Sequence, residues 1–331
     1  MARITLGIGT SHSPILILDG EHWEHRSHDD RRNKSLYTLD GVKLSYDELV
    51  AQRGERYVAE SDPARFPAQA AQAEAALDRL EAMLLEARPD VVLVIGDDQD
   101  ELFGYDNLPS LCVYRGEEVV MKEMALPHPR LTWTDRDFWA GYAMDMPRRF
   151  PAAPALAEDL IRGLIHQGVD VSTSNAVPDP ERRAFGHAYG FIYQRLMKKL
   201  RVPMLPVLLN TYFPPNNPTA ARCFDIGTAI AHALAASPIE ADVAVIASGG
   251  LSHFLCEEAF DRQVFEAVKH HDMRTLRQVP QEALCSGSSE IRNWIAMAGA
   301  IGHLRCVYDD YIPVYRTAVG TGIGLGFAAW R

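Results

Sequence analysis

The chain has 331 residues, a formal net charge of −11 and 47% hydrophobic content. That is enough apolar content for a large core, and an acidic chain without a basic cluster is a poor match for nucleic acid or an anionic membrane. No apolar run approaches the roughly 20 residues of a membrane helix. The five cysteines are scattered and form no CxxC, which fits free thiols in a reducing, cytoplasmic setting.

Residues 2–12, ARITLGIGTSH, read as a strand ending in Ser-His, not as a signal peptide. Residues 19–62 then break the rhythm. This polar segment holds His22, His25 and His28 and is expected to run over one face as a cover or lid. The HWEHRSH spacing resembles a metal cluster, but a solvated polar loop fits it better. Phe66, Ala70, Ala73, Leu77, Leu80 and Leu84 recur at helical steps, predicting a helix that stops before Pro89. Residues 91–95 are a continuous apolar run, as in a strand buried on both faces, and 202–209 and 243–247 read alike. Residues 104–153 are irregular and rich in Pro, Trp and Met, and their 133–146 part suits either an interface or a buried loop. Phe185, Ala188, Ile192 and Leu196 predict another helix. Ile291, Trp294, Ile295 and Ala298 predict a third, with Ser288 or Ser289 as its N-cap. GTGIGLG at 320–326 mimics a phosphate loop, but no helix follows it. Strands alternating with helices indicate an α/β fold: one domain over 1–331, with a mostly parallel central sheet flanked by helices.

Ligands of such sheets gather at the carboxyl ends of strands. His12, the Asp97–Asp98–Gln99 cluster and His253 all follow apolar runs. Each alone also fits an ordinary turn residue. Glu290 shares a helix face with Trp294 and Met297. A carboxylate facing a core must be paired, protonated or metal-bound; the same glutamate also suits the helix dipole, worth roughly 0.3–1 kcal/mol. His187, in AFGHAYGF, fits a half-buried histidine or a proton-transfer group.

Together these segments resemble the large-subunit family of protocatechuate 4,5-dioxygenase, the class III extradiol ring-cleavage dioxygenases, and most closely the single-component 3-O-methylgallate dioxygenase type. GTSHSP, GHAYGF, GGLSHFL and SGSSEIRNWIAMAGAI carry the likeness, in the family's order and over most of the chain. The resemblance implies His12 and Glu290 as metal ligands, His253 as catalytic base and His187 as a second active-site histidine. It departs at the middle strand, VVLVIGDDQDELF, where the second histidine ligand falls on Gln99, flanked by Asp98 and Asp100. Those aspartates are then candidates for the metal or its surroundings, and an oxygen-rich set moves preference from Fe(II) toward Mn(II) or Mg(II). The family's small helical subunit is not encoded here, and the resemblance implies a homodimer.

The implied reaction is Fe(II)- and O2-dependent opening of a catechol- or gallate-type aromatic acid, with His253 moving a phenolic proton. With a ligand altered or lost, the same scaffold could instead hydrolyse, decarboxylate or tautomerise an aromatic or ring-opened acid. A non-catalytic partner of an active homologue is a third reading, and retention of His12, His187, His253 and Glu290 argues against it.

Overall fold

The computed structural model describes residues 1–129 and 131–331. Nine strands make one sheet: β1 (Ala2–Thr10), β2 (Val91–Asp97), β3 (Leu111–Tyr114), β4 (Ser172–Ser174), β5 (Met204–Leu209), β6 (Ala241–Ser248), β7 (His253–Leu255), β8 (Cys306–Tyr315) and β9 (Thr321–Trp330). Their order is β7-β9-β1-β6-β2-β5-β3-β4, with β8 paired to β9 outside this path. β1, β6, β2 and β5 run parallel side by side. The antiparallel pairs lie outside this group, at β9 and at β3.

Both faces of the parallel group are covered, which explains the unbroken apolar runs. All seven residues of β2 are buried. Val91, Leu93 and Ile95 face one core with Leu160, Ile230, Val264 and Ile295. Val92 and Val94 face the other, with Leu77, Leu80 and Phe191. Each such aliphatic side chain contributes about 1.5–3 kcal/mol. The first layer holds α2 (Pro154–His166), α4 (Ala220–Ala236), α5 (Glu258–Lys269) and α6 (Ile291–Ala300). The second holds α1 (Phe66–Ala87) and α3 (His187–Phe191). Among the described residues no helix is long and apolar enough to cross a membrane.

Several expectations change. The run at 202–209 enters the sheet only at Met204, behind Pro203. Ser288 and Ser289 do not cap α6; a 3-10 turn, Ser286–Glu290, precedes it. The 133–146 stretch is a loop with a short helix, Arg136–Ala140, buried on one side: Phe138, Trp139, Tyr142 and Met144 join the second core, while Asp135, Arg136, Asp137 and Met146 stay exposed. The 19–62 excursion is ordered. Its helix Tyr46–Arg53 starts at a capping box of Ser45 and Glu48. Leu36 and Leu49 pack on Leu255 and Val319.

Candidate functional site at the strand ends

The parallel strands deliver their side chains to one cleft of about 1330 Å³. His12 leaves the end of β1 and is 2% exposed. The Ser248 hydroxyl donates to the Ala188 carbonyl at 2.7 Å, so its oxygen accepts from His12 Nδ1 at 2.9 Å. That fixes the proton on Nδ1 and leaves Nε2 with a lone pair. Nε2 has no hydrogen-bond partner and lies 3.4 Å from Glu290 Oε2. A buried imidazole nitrogen with a free lone pair beside a carboxylate is suited to donate to a metal ion.

Glu290 ends the 3-10 turn before α6, and Gly250 N–H donates to its Oε2 at 2.6 Å. Its other oxygen, Oε1, lies 3.4 Å from His253 Nε2. Burial opposes the Glu290 charge, but the His12 and His253 imidazoles outweigh it and hold the carboxyl well below the usual range. His253 is held from three sides. Its Nδ1 donates to the Leu251 carbonyl at 2.9 Å, which leaves Nε2 to face the cleft. Ser288 accepts from the His253 amide at 3.0 Å and donates to its carbonyl at 3.1 Å. The serine expected to cap a helix therefore clamps the histidine. Gly287 is required beside it, because a Cβ there would overlap the imidazole. Burial works against the His253 charge, but Glu290 more than offsets it and raises the histidine's pKa.

His187 opens α3, and its ring meets that of His12 edge-on with centroids 4.7 Å apart. Glu101 binds it twice, at Nδ1 (2.6 Å) and at the backbone N–H (3.0 Å). Burial disfavours the His187 charge, yet Glu101 overrides it and lifts the pKa to about 10. Donor atoms of His12, His187 and Glu290 lie within 4.8 Å of one another. Sequence reasoning gave His187 a proton-handling role and did not place it in this group; Glu101 was missed, because its link to His187 crosses 86 positions.

Gln99 lines the cleft, and its amide nitrogen donates to Asp97 at 2.9 Å and to Glu290 at 3.3 Å. Asp97 is fully buried, and its Oδ1 has no partner. Burial, then Glu290, raise its pKa. Asp98 turns away to staple the loop, accepting from the amides of Glu101, Leu102 and Phe103 at 2.9, 3.0 and 2.6 Å. Burial and Glu101 still push it up to about 7. Both of its oxygens are thus engaged by backbone amides, and it is not among the donors grouped with His12. Asp100 is exposed at the cleft rim, with a left-handed φ of 69°. His25 stacks on Trp133 at 5.5 Å, and none of His22, His25 and His28 belongs to the donor group.

The excursion supplies one wall of the cleft, including Arg26, Asp29, Asp30 and Tyr37. Arg316 pairs with Asp30 at 2.7 and 3.2 Å, and Arg26 pairs with Asp29 at 3.1 Å. Tyr142, from the buried loop, donates to the His12 carbonyl at 2.8 Å. None of these partners carries a local sequence signal.

A family model described as the catalytic LigB subunit of aromatic ring-opening dioxygenase matches residues 67–321. A 2,3-dihydroxyphenylpropionate/2,3-dihydroxicinnamic acid 1,2-dioxygenase of Rhodococcus sp. is 27% identical over 181 residues. That match covers 54% of this chain and 48% of the relative, so the chain spans about half the length of that protein. The matched region holds Gln99, His187, His253 and Glu290, while His12 comes from the first strand ahead of it. With a mostly parallel sheet beneath, covered by helices on both faces, and a buried His-His-Glu group at its strand ends, the chain belongs to the LigB family of catalytic subunits of aromatic ring-opening dioxygenases.

Proposed function

We propose that this chain is a divalent-metal-dependent extradiol dioxygenase acting on a catechol- or gallate-type aromatic acid. One observation carries the reading: the orphaned His12 Nε2 beside the Glu290 carboxylate, with His187 inside the same 4.8 Å group. His12, His187 and Glu290 would hold the ion. Two imidazoles and a carboxylate with open positions are a donor set for non-haem Fe(II). His187 is oriented by Glu101 and His12 by Ser248, as ligating imidazoles are by groups behind them. Gln99 then stands beside the set, its amide on Glu290. A divalent ion held there would supply Lewis-acid chemistry to the aromatic substrate and O2.

The chain's own residues do the rest. His253, with Nδ1 tied to a carbonyl, offers Nε2 toward the cleft to take a phenolic proton and return it later. Glu101 holds His187 at a fixed orientation. The excursion wall and the loop of Phe138, Trp139 and Tyr142 shield the cleft from water.

The test is metal content of anaerobically purified protein, then O2 uptake with 3-O-methylgallate, gallate and protocatechuate after Fe(II) addition. Near-stoichiometric metal with substrate-dependent uptake is expected. Loss of metal on His187→Ala, with retention on Gln99→Ala, checks the donor set; the reverse pattern would assign position 99 to the ion.

A second reading has its own observation. The Gln99 amide gives both Asp97 and Glu290 a hydrogen bond that needs no cation. On this reading the same site hydrolyses, decarboxylates or tautomerises an aromatic or ring-opened acid. Turnover that continues without O2 and survives chelation would select it.

A further inference from the structure

At the β5 side of the cleft lies a buried cation with no acid. Arg292 is 1% exposed and lines the cleft. Its Nε donates to the Pro218 carbonyl at 2.8 Å. Its Nη1 donates to the carbonyls of Leu284 at 2.7 Å, Thr211 at 3.2 Å and Ser289 at 3.4 Å. All four acceptors are neutral, and Nη2 donates to no group among the described residues. Arg26 and Arg316, the other buried arginines of the cleft, are each committed to a carboxylate. A guanidinium cannot shed its charge. One buried without an anion is held at a cost that a bound anion would relieve.

A second, independent feature stands next to it. Thr211, also in the cleft lining and 1% exposed, has a hydroxyl with no partner. Its backbone is fixed by Asn217, whose amide donates to the Thr211 carbonyl at 2.8 Å, and by Arg292 itself. An orphan hydroxyl in a buried position is a donor without an acceptor. The uncommitted Nη2 of Arg292 and the Thr211 hydroxyl together offer one donor to each oxygen of a planar, two-oxygen anion.

We propose that Arg292 and Thr211 form the subsite for the carboxylate of the aromatic acid, so that this end of the cleft sets the requirement for an acidic substrate. Arg292 and Glu290 line the same cleft, so the anion would be seated in the cavity that holds the donor group. The assignment rests on the proposed substrate class, and its test is separable from that reading.

Calorimetric titration of the metal-free full chain with 4-hydroxybenzoate and with its methyl ester reads the subsite alone. The acid is expected to bind at least about tenfold more tightly than the ester, the gain of a hydrogen-bonded charge. Thr211→Val should reduce acid affinity by about tenfold and leave the ester unchanged. This variant removes an unpaired hydroxyl while keeping shape, so it should fold. Arg292→Met should abolish the preference; because its guanidinium ties four carbonyls, Thr211→Val decides if that variant does not fold. Equal binding of acid and ester by the wild type, no binding of the acid at millimolar concentration, or an unchanged ratio in Thr211→Val would each overturn the subsite. Acid-selective binding without ring opening after Fe(II) addition would sink the dioxygenase reading and keep the subsite.

Discussion

The floor of the cleft and its wall treat charge in opposite ways. On the wall, every buried arginine has its acid: Arg316 meets Asp30, Arg26 meets Asp29, and Trp133 adds a 2.9 Å bond to Asp29. On the floor, His12 Nε2, Asp97 Oδ1 and Thr211 Oγ1 have no partner, and Glu290 is shared between two imidazoles. Buried polar groups are normally satisfied. The charges of the wall are therefore closed within the protein, although the Ser27 hydroxyl there has no partner, whereas the floor leaves polar atoms of its donor group open to a ligand. That contrast locates structure and function in separate residues, although both line one cavity.

The largest test of the contrast falls on the wall. Asp30→Ala leaves Arg316 buried and unpaired, which costs about 3–5 kcal/mol, read as a fall in urea midpoint. A midpoint unchanged from wild type would mean that Arg316 finds water, and the wall would lose its claim to self-sufficiency. On the floor, Glu290→Gln should reduce metal affinity by more than about 100-fold, since even groups behind a ligand change it by 10–100-fold. Its metal-free stability should fall less than that of Asp30→Ala. Glutamine still accepts from Gly250, and His253 can become neutral, an option closed to arginine. Equilibrium dialysis and thermal unfolding of the same preparations separate the two effects.

Ser248→Ala is a subtler probe of the floor. It removes the acceptor that fixes the His12 proton on Nδ1, so metal affinity should drop by about 10–100-fold without loss of any ligand. An unaltered affinity would show that the ring needs no such orientation.

The sheet was readable because a strand covered on both faces must be apolar throughout, as 91–95 and 243–247 are. His12, His253 and Glu290 were readable because they sit in motifs a few residues long. What could not be read is pairing across the chain. Glu101 with His187, Ser248 with His12, and Asp30 with Arg316 are separated by 86, 236 and 286 positions. Composition holds no trace of such contacts. Ser288 shows the same limit locally: a serine just before a helix suggests a cap, and only the folded chain shows it holding His253 instead. Gln99 lies between the two cases. Its place after a strand was visible, but its amide, turned to Asp97 and Glu290, was not.

The smallest effect tests whether the wall is independent of the floor. Ser45 and Glu48 bond each other's backbone at the start of helix Tyr46–Arg53, far along the excursion from the donor group. Ser45→Ala removes one half of that exchange and should cost about 1 kcal/mol of stability. Leu49 on that helix packs with Leu255, two positions from His253, so a loosened helix has a physical route to that histidine. If wall and floor are separate, the variant unfolds at a lower temperature while metal affinity stays as in wild type. A parallel fall in metal affinity would show that the excursion helps assemble the floor through Leu49 and Leu255, and that the division of labour drawn from the hydrogen bonds is incomplete.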